Sequence, residues 1–363
     1  MKSCLIHITP ELPPSVGGVA DYTAILSRRL DDVLDGEVEL VLLHAGWRKV
    51  DALDVSFPAY DLSGACSAQQ LVMAIDDVRH MTSGRTTVLL EYSGYGYARR
   101  GAPLWLLRGL RRACGQDLPL FTIFHELYGT NSKPWTSAFW MSAVQQFVAR
   151  NLVRLSNGMM ANWEEATTWL RQRADDKPVQ MSPSFSNVGE PESLPPYSGR
   201  QPYAVCFGGG ERKAALYEDH GSSIDRLLDS CRIKRIVDIG SKPKEVSLTR
   251  VETPVELRGI LSTAEISTVL RNASLGILEY PLHCLTKSGI WASYAAHGVP
   301  TLIAAEPFSA SGIVEGQHFI RLQKASSLSL QTLEQVGAEA LAWYKHNADS
   351  QRVAKRIKNL IGT

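Results

Sequence analysis

Short, almost continuously apolar runs alternate along this chain with stretches in which apolar positions recur every three or four residues. Residues 3–8 (SCLIHI), Val38–His44, Thr86–Tyr92, Leu118–His125 and Asn157–Ala161 are of the first kind. Such runs, ended by turn residues, suit strands buried on both faces of a parallel sheet. Val19–Leu30 and Glu164–Ala174 carry the helical period. After a proline-rich stretch the rhythm resumes. It predicts strands at Tyr203–Phe207, Ile236–Ile239 and Val255–Arg258, with helices near Leu216–Cys231 and at Thr263–Arg271. Leu330–Ile361 is helical in pattern to its end. Repeated strand–helix alternation predicts an α/β protein with parallel sheets flanked by helices.

The densest signal lies in Arg271–Ala304, where the strands Leu275–Glu279 and Val299–Ala304 bracket a helix over Lys287–His297. Tyr280-Pro281 stops the first strand, and Gly298 with Pro300 closes the helix. Thr286 is the expected N-cap, which puts Lys287, Ser288 and Gly289 in the first turn. A cation there opposes the helix dipole unless an anion sits at the helix start. Amides, a hydroxyl, a cation and a bare glycine backbone together describe a phosphate seat. The alternative, a solvated lysine, stays open. Ile290, Trp291, Tyr294 and Ala295 share one face and read as core.

At 363 residues the chain suits two α/β domains. Lys177–Pro202, rich in proline and poor in periodicity, is the boundary candidate. A net charge of +1 argues against bulk nucleic-acid binding. Six cysteines lie scattered without a C-x-x-C pair, as reduced core thiols do. The start MKSCLIHIT reads directly as a strand without a signal-peptide segment, and no apolar run reaches membrane-spanning length. The expected location is therefore the cytoplasm, including the inner membrane surface.

Four further places offer chemistry. Thr9–Gly18 ends in Gly17 and Gly18 between a strand and a helix, where bare backbone can approach a ligand or simply turn. Gly208–Lys213 (GGGERK) sets open backbone at Gly209 and Gly210 beside Arg212 and Lys213, a diphosphate grip if the charges are not merely solvated. His125 ends a strand in Phe124-His125-Glu126 and can contact a substrate or simply pack. Arg99, Arg100, Arg108, Arg111 and Arg112 surround Leu104-Trp105-Leu106-Leu107, so 99–112 suits either an anionic membrane surface or an ordinary covering helix. Gly94–Arg99 only half matches a dinucleotide-binding pattern. The chain has no Asp-x-Asp, no His/Cys cluster and no G-x-S-x-G, so no metal is expected.

The segments GGVADYTAILSRRL, LLEYSGYGYARRGAPLW, FHELYGTNSKPWTSAFW, SFSNVGEP and ASLGILEYPLHCLTKSGIWASYAAHGVPTLIA together resemble bacterial glycosyltransferases of the GT-B fold, nearest the retaining "group 1" type of exopolysaccharide and cell-envelope assembly. The resemblance implies two Rossmann-like parallel-sheet domains facing across a cleft. They would be an acceptor domain at 1–185, a linker at 186–202 and a donor domain at 203–340, with a helix at 341–361 packing back on the first. It implies a nucleoside-diphosphate sugar as donor, a glycan acceptor carried on lipid, and no cofactor. Gly17 and Gly18 match the family's N-terminal glycine loop, and His125 its histidine at the donor sugar. Arg212 or Lys213 matches the residue on the diphosphate, and Lys287, Ser288 and Gly289 the helix start whose amides meet the donor. One departure stands out: Leu285 and Ser293 occupy the places of the family's two glutamates. Either Lys287 and Ser293 take over part of their work, or donor binding has changed. A non-catalytic subunit binding a nucleotide or a partner is the alternative.

Overall fold

A computed structural model describes residues 2–15, 17–115, 117–129, 137–308, 312–325 and 327–362. The chain forms two compact units, one of residues 1–182 with 351–363, the other of residues 183–350.

In the first unit seven strands lie in one sheet: β1 (Ser3–Thr9), β2 (Val38–His44), β3 (Ala59–Asp61), β4 (Thr86–Tyr92), β5 (Leu120–Phe124), β6 (Gly158–Ala161) and β7 (Val179–Met181). Their order is β3-β2-β1-β4-β5-β6-β7, and every pairing is parallel. β4 is buried at all seven positions, as a strand covered on both faces must be. The helices are α1 (Gly18–Leu34), α2 (Ala68–Met81), α3 (Gly94–Tyr97), α4 (Leu104–Ala113), α5 (Ser137–Leu155) and α6 (Glu164–Arg171). The edge strands β3 and β7 are too short and polar to show in the apolar pattern.

The second unit holds β8 (Gln201–Gly208), α7 (Gly210–Ser230), β9 (Arg235–Gly240), α8 (Glu245–Leu248), β10 (Val255–Gly259), α9 (Thr263–Asn272), β11 (Ala273–Glu279), α10 (Gly289–Ala296), β12 (Thr301–Ala304), β13 (Ile320–Arg321) and α11 (Leu330–Asn347). Its six-stranded sheet, again parallel, has the order β10-β9-β8-β11-β12-β13. Both sheets reverse direction beside their first strand, between β1 and β4 and between β8 and β11. Open α/β sheets hold ligands beyond the carboxyl ends of strands at such reversals.

Residues 186–200 are bonded into the second unit. Ser186 N–H donates to the Tyr344 hydroxyl, and Arg200 donates to the carbonyls of Ala273 and His297. The single helical pattern at the end of the chain is broken into α11 and α12 (Ser350–Ile361). Glu190 accepts at that break from the Tyr344 hydroxyl (2.6 Å) and from the Ser350 amide (3.0 Å) and hydroxyl (2.9 Å). Residues from Gln351 onward belong to the first unit, where Lys358 donates to the Val33 carbonyl.

Candidate functional site

The glycine turn Gly208–Gly210 lies at the second unit's reversal, between β8 and α7. Gly209 is the N-cap of α7 and supplies no side-chain cap, so the first amides of a 21-residue helix lack the usual hydroxyl or carboxylate partner. A Cβ on Gly209 would meet nothing within 4 Å. A Cβ on Gly210 would sit 2.4 Å from the Lys242 carbonyl oxygen, so that glycine answers to packing. Gly208, at φ 145°, has a backbone that only glycine holds without strain.

Arg212 and Lys213 do different jobs. Arg212 is exposed, with its guanidinium 4.9 Å from the centre of the Tyr280 ring at the end of β11. Lys213 is 3 % exposed and donates to the Asp238 carboxylate and to the Ile239 carbonyl. Tyr217 donates to the other Asp238 oxygen at 2.8 Å. The expectation that either basic residue could take a diphosphate therefore narrows to Arg212, because Lys213 is spent inside the domain. The helical period could have shown this, since Lys213 shares a face with the buried Leu216 and Tyr217.

Gly208, Gly209, Arg212, Glu279, Tyr280 and Ile290 border a cleft of about 30 Å³, room for one water. Arg212, Glu279 and Tyr280 also border a groove of about 560 Å³ that continues past His283 to Phe308, within the range of ligand sites. Burial raises the Glu279 carboxyl above its ordinary range, against the pull of His220 and Arg212, and its Oε2 has no hydrogen-bond partner among the described residues. Burial pushes the Tyr280 phenol up to about 12, so it is a neutral donor.

The start of α10 differs from expectation. Ser288 is its N-cap, its hydroxyl accepting from the Trp291 amide, and Leu282–Lys287 is a separate 3-10 turn. Lys287 thus precedes the helix and is not part of its first turn. Gly289 faces packed protein, since a Cβ there would lie 2.3 Å from the Asn187 side-chain amide. Ser293 is wholly buried, donating to the Gly289 carbonyl and accepting from Ser186. It does not replace the missing glutamate as a ligand contact. Leu285 is equally buried. Trp291 and Tyr294 are core as expected, whereas Ile290 faces the cleft.

In the first unit a polar cluster occupies the reversal between β1 and β4. Glu91, fully buried in β4, accepts from His7 Nε2 of β1 at 3.0 Å and from His125 Nε2, just past β5. Despite burial, the two imidazoles hold the Glu91 carboxyl down at about 2, His125 contributing most. The His125 ring meets the Tyr22 ring of α1 edge-on, with centres 4.8 Å apart. Gly17 caps α1, again without a side-chain bond, and Gly18 begins it. A Cβ on Gly17 would come within 2.8 Å of the Glu11 carboxylate. Burial, with the Glu11 charge second, raises the Asp21 carboxyl in the first turn of α1 to about 6. Glu91 and His7 are absent from the sequence candidates. The available signal was one charged residue inside an otherwise apolar strand, LLEY.

Two sequence features take on bland roles. Gly94 and Gly96 approach the Gly101 carbonyl and Pro10 so closely that side chains there would collide, which explains the half-matching dinucleotide pattern by packing. In α4, Trp105 turns inward and donates to the Tyr97 carbonyl, leaving Leu104 and the arginines Arg108, Arg111 and Arg112 outside. Within FHELYGTNSKPWTSAFW, residues 130–136 lie outside the described residues. Among the described residues, no helix is long and apolar enough to cross a membrane, and no three His, Cys, Asp or Glu side chains are grouped to hold a metal.

No protein-family model matches the chain, and no curated protein sequence matches it. Solved structures do resemble it over its full length. An α,α-trehalose-phosphate synthase (UDP-forming) from Burkholderia xenovorans, in complex with glucose-6-phosphate, aligns with 99% of this chain and 100% of its own at 8% identity and TM-score 0.61. The pneumococcal O-GlcNAc transferase GtfA, in complex with UDP and GlcNAc, aligns with 99% of each chain at 8% identity and TM-score 0.57. S. aureus MnaA, in a co-structure with UDP, covers 100% of this chain and 98% of its own at 13% identity and TM-score 0.51. Together with the two parallel-sheet units, these likenesses establish that the chain has the GT-B fold.

Proposed function

We propose that this protein is a glycosyltransferase that takes its sugar from a nucleoside-diphosphate donor. The observation that carries the reading is the Gly209 turn into α7, uncapped and open, with Arg212 beside it at the mouth of a ligand-sized groove. Breaking the bond between sugar and diphosphate develops negative charge on the departing oxygen. Preorganised amides and a guanidinium stabilise such charge without rearranging during the reaction. Solved structures of the same fold that hold UDP support the nucleotide assignment. In this reading Arg212, Gly209 and Gly210 meet the diphosphate, with Ser288 and Gly289 at the neighbouring helix start and Lys287 just ahead of it. His125 meets a sugar, and Gly17 and Gly18 lie near the acceptor.

The finer parts rest on the sequence resemblance. The acceptor is an envelope or exopolysaccharide glycan on a lipid carrier, the anomeric configuration is retained, and the charge is balanced by protein groups and not by a metal ion. The exposed arginines of 99–112, with Leu104, suit contact with the anionic inner face of a membrane. A second reading, a nucleotide-binding subunit without turnover, is favoured by one observation: both glutamate places are filled by buried, non-ligating side chains, Leu285 and Ser293.

A thermal-shift screen of nucleoside-diphosphate sugars, followed by assay of nucleotide release with the best one, tests both. Stabilisation with release supports transfer; stabilisation without release, even after membrane extract is added as acceptor, supports the subunit. No stabilisation by any member refutes both.

A further inference from the structure

We infer that Glu91 is a positioning residue that fixes the proton of His125 on Nε2, so that His125 offers a bare Nδ1 to a hydroxyl group of the bound sugar. That a bound sugar supplies this hydroxyl rests on the glycosyltransferase reading; the role of Glu91 does not.

The argument starts from what a carboxylate can do. Ionised Glu91 has no proton to give, so each imidazole bonded to it must donate. Its Oε1 takes the proton of His7 Nε2 and its Oε2 that of His125 Nε2. Ser27 shares a hydrogen bond with His7 Nδ1 at 3.2 Å, which completes that ring. His125 is different: its Nδ1 has no hydrogen-bond partner among the described residues, although the side chain is only 10 % exposed. In its neutral form, with Nε2 protonated, the ring carries a lone pair at Nδ1 and accepts one hydrogen bond. A second contact holds the plane of the ring, since Tyr22 packs edge-on at 81°. The backbone is held as well, the His125 amide donating to the Tyr92 carbonyl at 3.0 Å.

The geometry therefore selects ligand chemistry. A lone pair in a nearly buried site disfavours a phosphate and favours an O–H donor, which a sugar supplies. Without Glu91 either nitrogen can carry the proton, and in part of the population the hydroxyl then faces an N–H. His7 serves as the second arm, keeping the Glu91 carboxylate from turning away.

Long-range 1H–15N correlation of the imidazoles at alkaline pH reads the tautomer directly, with His125→Gln identifying the resonance. The expected spectrum has a protonated Nε2 and an unprotonated Nδ1 at His125 in the wild type, and a mixture of tautomers in Glu91→Gln. In steady-state assays Glu91→Gln should lower kcat/KM by about 10- to 100-fold while nucleoside-diphosphate affinity stays unchanged. A wild-type ring protonated on Nδ1 overturns the inference, as does a Glu91→Gln variant with altered tautomer and undiminished turnover. Should the wild type transfer no sugar, the glycosyltransferase reading fails. The tautomer, read without substrate, still decides the role of Glu91. If Glu91→Gln does not fold, the wild-type spectrum alone decides, and a His125 ring protonated on Nδ1 still overturns the inference.

Discussion

Replacing Lys213 by methionine separates a structural cation from a ligand-binding one. Lys213 and Asp238 are 3 % and 1 % exposed at their side chains, so the substitution strands a carboxylate in the core with Tyr217 as its remaining side-chain donor among the described residues. Breaking a buried pair by removing one member typically costs about 3–5 kcal/mol. For a domain of this size, each kcal/mol moves Tm by roughly 2–4 °C, so a fall of about 6–20 °C is expected. Adding Asp238→Asn removes the stranded charge yet keeps an acceptor for the Tyr217 hydroxyl, and should recover more than half of the loss. Arg212→Ala, made at an exposed position, should leave Tm within about 1–2 °C. Differential scanning calorimetry of the four proteins gives the stabilities, and nucleotide titration gives the affinities. A Lys213→Met protein as stable as the wild type but blind to nucleoside diphosphates would refute the division of labour between these two residues.

Gly209→Ala should fold normally, because nothing lies within 4 Å of the added methyl, yet weaken diphosphate binding. Gly210→Ala should destabilise the chain by roughly 1–3 kcal/mol through the Lys242 carbonyl, and chemical denaturation distinguishes the two. Glu190→Ala leaves Tyr344 and Ser350 without their shared acceptor and should cost about 2–4 kcal/mol, with hydrogen exchange fastest around the break between α11 and α12. Asp21 binds its proton more tightly when folded, at about 6, than in the unfolded chain, at about 4. Its contribution to stability is therefore complete in acid and lost as pH rises from about 4 through 6, so Asp21→Asn should flatten that part of the pH–stability curve. An unchanged slope would mean that Asp21 is well solvated.

Both sheets were legible because a parallel sheet covered on both faces demands long apolar runs, and β2 and β4 match their apolar runs residue for residue. What escaped was set by contacts distant in sequence. The helical period turns Lys213 inward with Leu216 and Tyr217, but the partner it meets there, Asp238, lies 25 residues on. Thr286 and Ser288 are equally good caps on local grounds, and the 3-10 turn at Leu282–Lys287 decides for Ser288. Gly289 reads as an opening for a ligand, but the Asn187 side chain occupies that space. Glu91 was invisible as a site residue because its meaning lies in histidines brought in by two other segments, β1 and the turn after β5. The paired glycine turn at Gly208–Gly210 was readable because strand, glycines and helix are contiguous.

The central claim is that the open amides of α7 and the Arg212 guanidinium together hold a diphosphate. Isothermal titration with UDP and GDP beside UMP and GMP, against the wild type and Arg212→Ala, tests it most directly. The account predicts that one diphosphate binds at least about tenfold more tightly than its monophosphate, and that Arg212→Ala abolishes most of this preference. Equal affinities for diphosphate and monophosphate, or a preference that survives the loss of Arg212, would contradict it.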